Sequence, residues 1–173
     1  MNPDARQFLS VALLGVLVGC VGERATVPSL EIPAGAVDVS WSDAGAVRIL
    51  QQSYSGYSKP VRLLIDDDAA WAQAWTTLNV SRVVSPPAPR PAVDFAHYSV
   101  IIAAQGSHGT GGFGIEVTRL AASSDFLYAE VTSTSPGARC FTTQAFTEPV
   151  DVIRIPKPHL PLMFVEHSVV SQC

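Results

Sequence analysis

Several side chains in this chain belong to types that do covalent chemistry, so their spacing is the first thing to weigh. Ser107 or Ser135, His108 or His167, and Asp151 or Asp125 could supply a serine hydrolase triad. A chain of 173 residues offers such sets by composition alone. No Gly-x-Ser-x-Gly elbow occurs, and no spacing sets a base beside a nucleophile. Cys140 with His167 is the better nucleophile pair, yet Cys173 competes for that sulfur as a disulfide partner. Asp66, Asp67 and Asp68 suggest calcium, but consecutive acids point in different directions and lack the spaced ligands of a calcium loop. His97, His108, His159 and His167 have no metal-ligand spacing. The expectation is therefore no catalytic set, no metal and no cofactor.

The stretch Gln105-Gly106-Ser107-His108-Gly109-Thr110-Gly111-Gly112-Phe113-Gly114 is the strongest local signal. Five glycines in ten residues suit a loop that needs positive φ or a close backbone approach, not a helix or strand interior. A phosphate cradle would need a following helix and usually a lysine; here a period-two pattern follows and no lysine is present. Two readings remain: a tight connection between strands, or a loop that meets a partner through His108, Thr110, Gly111, Gly112 and Phe113. Arg139 and Thr143-Gln144, which flank Cys140, read as a solvated turn.

Residues 1–19 do not belong to the folded unit. A short polar region with Arg6 precedes the apolar run Phe8–Leu17, which is too short to span a bilayer and reads as a signal peptide. It ends in Leu17-Val18-Gly19-Cys20, which resembles the bacterial lipobox. Cys20 would then carry a thioether-linked diacylglycerol and an N-acyl chain such as palmitate, more than the two signals that stable anchoring needs. Val21 stands where lipoproteins retained at the inner membrane often have Asp, which leans towards the outer membrane. Removing residues 1–19 takes away Asp4 and Arg6, so the net charge stays at −4. A mildly acidic domain without a basic cluster argues against nucleic acid. In an oxidising compartment Cys140 and Cys173 read as a disulfide, worth roughly 3–4 kcal/mol in the chain-entropy model.

The elements that must hold these residues can be read in order. Residues 20–44, with Pro28, Pro33, Gly22 and Gly35, read as a lipidated tether whose Val37-Val39-Trp41 alternation docks late in the segment. Residues 45–173 form one domain. Ala46–Tyr54 and Pro60–Ile65 read as strands. Trp71, Trp75 and Leu78 stand at i, i+4 and i+7 on one face of a short helix capped by Asp67 or Asp66. The proline run at 85–91 is a stiff surface crossing. Tyr98–Ala104 is apolar on both faces, as a central strand is. Phe113–Leu120 and Asp125–Val131 make an antiparallel hairpin. Ser135–Ala138 turns the chain, Phe141–Phe146 is extended or mixed, and Pro149–Ile155 and Leu162–Val170 are the last strands. The fold class is α+β: a single domain, mainly antiparallel sheet, with one short amphipathic helix.

An ordered set of these residues resembles the C-terminal domain of the protease complex subunit PrcB family. The matching elements are Tyr98–Ala104, Thr110-Gly111-Gly112-Phe113, Ser135-Pro136-Gly137 before Cys140, Thr143-Gln144, and Thr147–Lys157. The resemblance implies a lipoprotein that associates with a secreted or surface protease and is needed for its stable production. It assigns no catalytic residues. The expected function is a lipid-anchored binding module of the cell envelope, an accessory subunit that is not an enzyme. The alternatives are a protease-inhibitor-like domain using the 106–114 loop and, third, a hydrolase.

Overall fold

Strict alternation in two strands builds the layers. The computed structural model describes residues 30–41, 45–80 and 88–173. Its elements are β1 (Val37–Asp38), β2 (Val47–Gln52), β3 (Val61–Ile65), α1 (Asp68–Leu78), β4 (Tyr98–Ala104), β5 (Gly114–Ala122), β6 (Leu127–Pro136), β7 (Val150–Pro156) and β8 (Leu162–Ser171). One four-stranded sheet has the order β2-β7-β4-β3 and the other β1-β5-β6-β8. In β4, Val100, Ile102 and Ala104 face one way with Val150 and Val152 of β7, and pack on Trp71, Ala74 and Leu78 of α1. Ile101, Ala103, Ile153 and Ile155 face the other way and pack on Ile115, Val117, Leu120, Ala129 and Val131 of the second sheet. The result is three layers: helix, sheet, sheet. That is why β4 is apolar on both faces: it lies inside the middle layer, with six of its seven residues buried.

The fold is α+β with mainly antiparallel pairing. All strand neighbours run antiparallel except β6 and β8, which are parallel and paired from Leu127 with Leu162 to Pro136 with Ser171. The turn expected at Ser135–Ala138 begins later, because β6 continues to Pro136. β5 ends opposite Thr134, so Ser135 and Pro136 have a neighbour on the β8 side alone, where a proline is tolerated. Phe141–Phe146 forms no strand. Residues 37–41, the late part of the tether, dock on the domain as their alternation implies: β1 pairs with Ala121 and Ala122, while Val39 and Trp41 pack on the core between the sheets. The proposed signal peptide, Cys20 and Pro86-Pro87 lie outside the described residues. No helix among the described residues is long and apolar enough to cross a membrane.

The three aspartates diverge as consecutive residues must. Asp67 is the N-cap of α1 and accepts from the Ala70 N–H at 2.8 Å. Asp66 accepts from Ser99 Oγ, and Asp68 receives both Arg90 Nη atoms, which holds its carboxyl below the usual range. The indoles of Trp71 and Trp75 donate to the carbonyls of Pro91 and Ala88, so residues 88–91 lie along the helix.

Candidate functional site: one pole of the sandwich

Register decides which loops meet. Gln52 and Ala104 both pair with Val150, and Val61 pairs with Ala104, so these strand ends share one end of the first sheet. Gly114 pairs with Thr134 and Pro136 with Ser171 at the corresponding end of the second. Gln51 Nε2 donates to the Ile115 carbonyl at 3.3 Å and Gln105 Nε2 to that of Thr134 at 3.2 Å, tying the two ends together. The segments 53–60, 105–113 and 137–149 and the C-terminus therefore converge at one pole. The N-terminal residues enter at the other, where Val37 meets Ala122. The nine residues of β5 put about 30 Å between the two.

At this pole the glycine-rich segment crosses from the first sheet to the second, and its backbone is engaged by its own chain. The N–H groups of Gln105, Ser107, His108 and Gly111 donate to the carbonyls of Pro149, Ser58, Thr147 and Thr143. Thr147 returns its N–H to His108 and its hydroxyl, at 2.9 Å, to the Thr110 carbonyl. Gly106 (φ +90°) lies against Pro60, and Gly112 (φ +88°) against Pro136 and Thr142. A Cβ at Gly111 would collide with Thr143 Oγ1. The close approach that the glycines permit is thus to segments 58–60 and 136–143. His108 and Phe113 stack on each other, centroids 3.8 Å apart and 6° from parallel. His108 Nε2 is buried without a partner, and desolvation lowers the imidazole pKa. Thr110 and Phe113 are half-buried, and Gly112 is exposed.

Cys140 and Cys173 form a disulfide with Cα atoms 5.2 Å apart, which fixes the 137–140 turn to the end of β8. Next to it stands an exposed surface that the pattern of the sequence does not show. Phe141 is fully exposed, Phe146 is 75% exposed and Tyr54 is 50% exposed. These are the exposed large aromatics among the described residues, and Val169 and Val170 at the same end of β8 add to them. Both phenylalanines fall in a stretch with no period, so their exposure has no sequence signal.

The hydrolase sets do not assemble. Ser107 Oγ donates to Glu148, the Ser135 carbonyl accepts from Ser171, and Asp125 accepts from Ser124. His167 lies 3.6 Å from Glu130 on the outer face of the second sheet, and Cys140 is bonded to Cys173. Asp151 is fully buried between the sheets. It receives Arg48 Nε and Nη2 at 2.9 and 3.1 Å and the Val117 N–H at 2.8 Å. Burial pushes its carboxyl up, and the Val117 N–H and Arg48 pull it part of the way back. β1 covers Ala121 and Ala122, leaving the Ile115–Val117 edge of β5 to be satisfied by side chains. Asp151 takes the Val117 N–H, Arg48 donates to the Val117 carbonyl and Gln51 to that of Ile115. Arg48 also reaches Glu116 at 2.9 Å. These polar groups close the sandwich and present no reacting atom.

Among the described residues no group of three or more His, Cys, Asp or Glu could hold a metal ion. Residues 99–156 match the family model described as PrcB C-terminal. That span runs from β4 to the end of β7 and includes the glycine-rich crossing, the hairpin, Phe141, Phe146 and Asp151. No curated protein and no solved structure gives a match.

Proposed function

We propose that this chain is a lipid-anchored accessory subunit of the cell envelope. It stabilises a secreted or surface protease by binding it through the pole that carries Phe141, Phe146 and Tyr54. The match to the PrcB C-terminal family model supports the accessory role at the family level. The observation that carries the docking surface is the convergence of exposed aromatics on loops held rigid by a disulfide and the 105–113 crossing. Aromatic anchors held in place before binding cost little entropy to dock, and such residues dominate interface energetics. His108, Thr110, Gly111, Gly112 and Phe113 support this surface from beneath, with Gly112 reaching it.

An anchor at Cys20 would leave residues 21–36 as the span between lipid and sheet. The chain then enters the domain at the pole opposite the aromatics, which favours a protein over the bilayer as their partner. The outer membrane remains the favoured location on the residue after Cys20.

A photo-crosslinking residue in place of Phe141, in native membranes, tests the docking pole. Recovery of one stoichiometric envelope protease, lost in Phe146→Ala, is the expected result; no stable partner would end the accessory reading. A Cys20→Ala chain released from membranes would support the anchor, and one that stays membrane-bound would refute it.

A further inference from the structure

β7 alternates Val150, Val152 and Arg154 on the face that turns towards the helix layer, so Arg154 is a cation in a row otherwise apolar. Its guanidinium lies over the Tyr98 ring, 4.3 Å from the centroid. Its Nε is buried with no acceptor, and among the described residues no carboxylate pairs with it. Arg154 lines a groove of about 250 Å³ whose other walls are Val47, Ile49, Pro91, Ala92 and Val93. Four other arginines of this fold meet a carboxylate, Arg48 with Asp151, Arg62 with Glu166, Arg90 with Asp68 and Arg119 with Asp38, while Arg139 stands exposed in water. Arg154 as a whole is half-buried, but its Nε–H is a buried donor left unpaired, which costs free energy, and a carboxylate that reaches the Nε edge recovers that cost.

We propose that this groove binds the C-terminal residue of an extended polypeptide, its carboxylate on Arg154 and an aliphatic side chain among Val47, Ile49 and Pro91. Three features select this occupant. A cation with a buried, unpaired Nε–H favours an anion, and its planar fork favours a carboxylate. The remaining walls are apolar, which favours an aliphatic group beside it. The volume falls below the roughly 300–1,000 Å³ typical of small-molecule sites, so it suits one residue at the end of a larger ligand. The site is built from β2, β7 and the 91–93 segment, and does not share residues with the aromatic pole, so the two proposals stand or fall separately.

The test uses the full chain in zwitterionic detergent and three probes: an acetylated tetrapeptide ending in valine with a free carboxylate, the same peptide as its carboxamide, and isovalerate. Amide NMR shifts at Val47, Ile49 and Arg154 report occupancy. The acid peptide is expected to shift all three, with the carboxamide and isovalerate weaker by about tenfold or more. Arg154→Gln should abolish the preference for acid over carboxamide while leaving the rest of the spectrum in place. Equal binding of acid and carboxamide, isovalerate binding as well as the peptide, or no shifts at millimolar peptide would each overturn the proposal. Should Arg154→Gln fail to fold, the acid-to-carboxamide ratio on the unaltered chain decides.

Discussion

Asp151 and Arg48 face each other across β7 and β2 with two hydrogen bonds, 2.9 and 3.1 Å long, and the same carboxylate takes the Val117 N–H from the opposite sheet. One buried acid thus joins three strands of two sheets. Asp151→Ala leaves the Val117 N–H without an acceptor and the Arg48 guanidinium half-paired. We expect a loss of about 3 kcal/mol, read as a lower urea midpoint, with Asp151→Asn costing less because its amide oxygen can still accept. An unchanged midpoint in Asp151→Ala would show that the acid does not close the sandwich.

Gly112 and Gly109 lie three residues apart in the same crossing and should respond differently. At Gly112 φ is +88°, and a Cβ would come within 3.0 Å of Pro136 and 3.2 Å of Thr142. At Gly109 nothing lies within 4 Å and φ is ordinary. Gly112→Ala should cost about 1–3 kcal/mol, and Gly109→Ala should be neutral or slightly stabilising through the unfolded chain. Thermal melts of the two variants side by side check this. Equal melting temperatures would refute the placement of the crossing.

His108 provides the pH dependence. Its folded pKa is lowered from 6.5 by desolvation, against Phe113 and with Nε2 buried. The unfolded chain therefore takes up the proton first as pH falls. The stability tied to a neutral His108 is present above 6.5 and is lost as pH falls from there through the folded midpoint. An imidazole titration by NMR should give a midpoint below 6.5, with the exchange protection factor of the Gly111 amide, corrected for intrinsic rate, falling over the same range. A midpoint at or above the unfolded value would contradict the stacked, desolvated ring.

The Cys140–Cys173 bond spans 33 positions and holds the turn that precedes Phe141. Its removal in Cys140→Ser with Cys173→Ser should cost about 3–4 kcal/mol by the chain-entropy estimate. Phe141→Ala, by contrast, deletes a fully exposed ring and should leave the unfolding free energy within about 0.5 kcal/mol of the parent while weakening crosslinking. A Phe141→Ala chain as unstable as the disulfide variant would place that ring in the packing after all.

Local residue order carried most of the elements and much less of the site. The helix was legible because Trp71 and Leu78 return to one face every three to four residues and Asp67 can cap in place. β4 and β7 were legible because buried strands are continuously apolar or strictly alternating. Periodicity is a local property, so these followed from the chain alone, as did the glycine-rich crossing between a buried and a half-buried strand. Which sheet each strand joins is a property of pairs distant in sequence. The parallel β6–β8 pairing and the separation of β4 from β5 into different sheets were decided by packing. The same holds for the surface: Phe141 and Phe146 are ordinary core residues by type, and only the tertiary structure leaves them in water. Asp151 and Arg154 lie three residues apart in one strand and look alike in a sequence, a charge among valines and isoleucines. Strand alternation turns the first towards the other sheet, where Arg48 meets it, and the second towards a groove where, among the described residues, no carboxylate does.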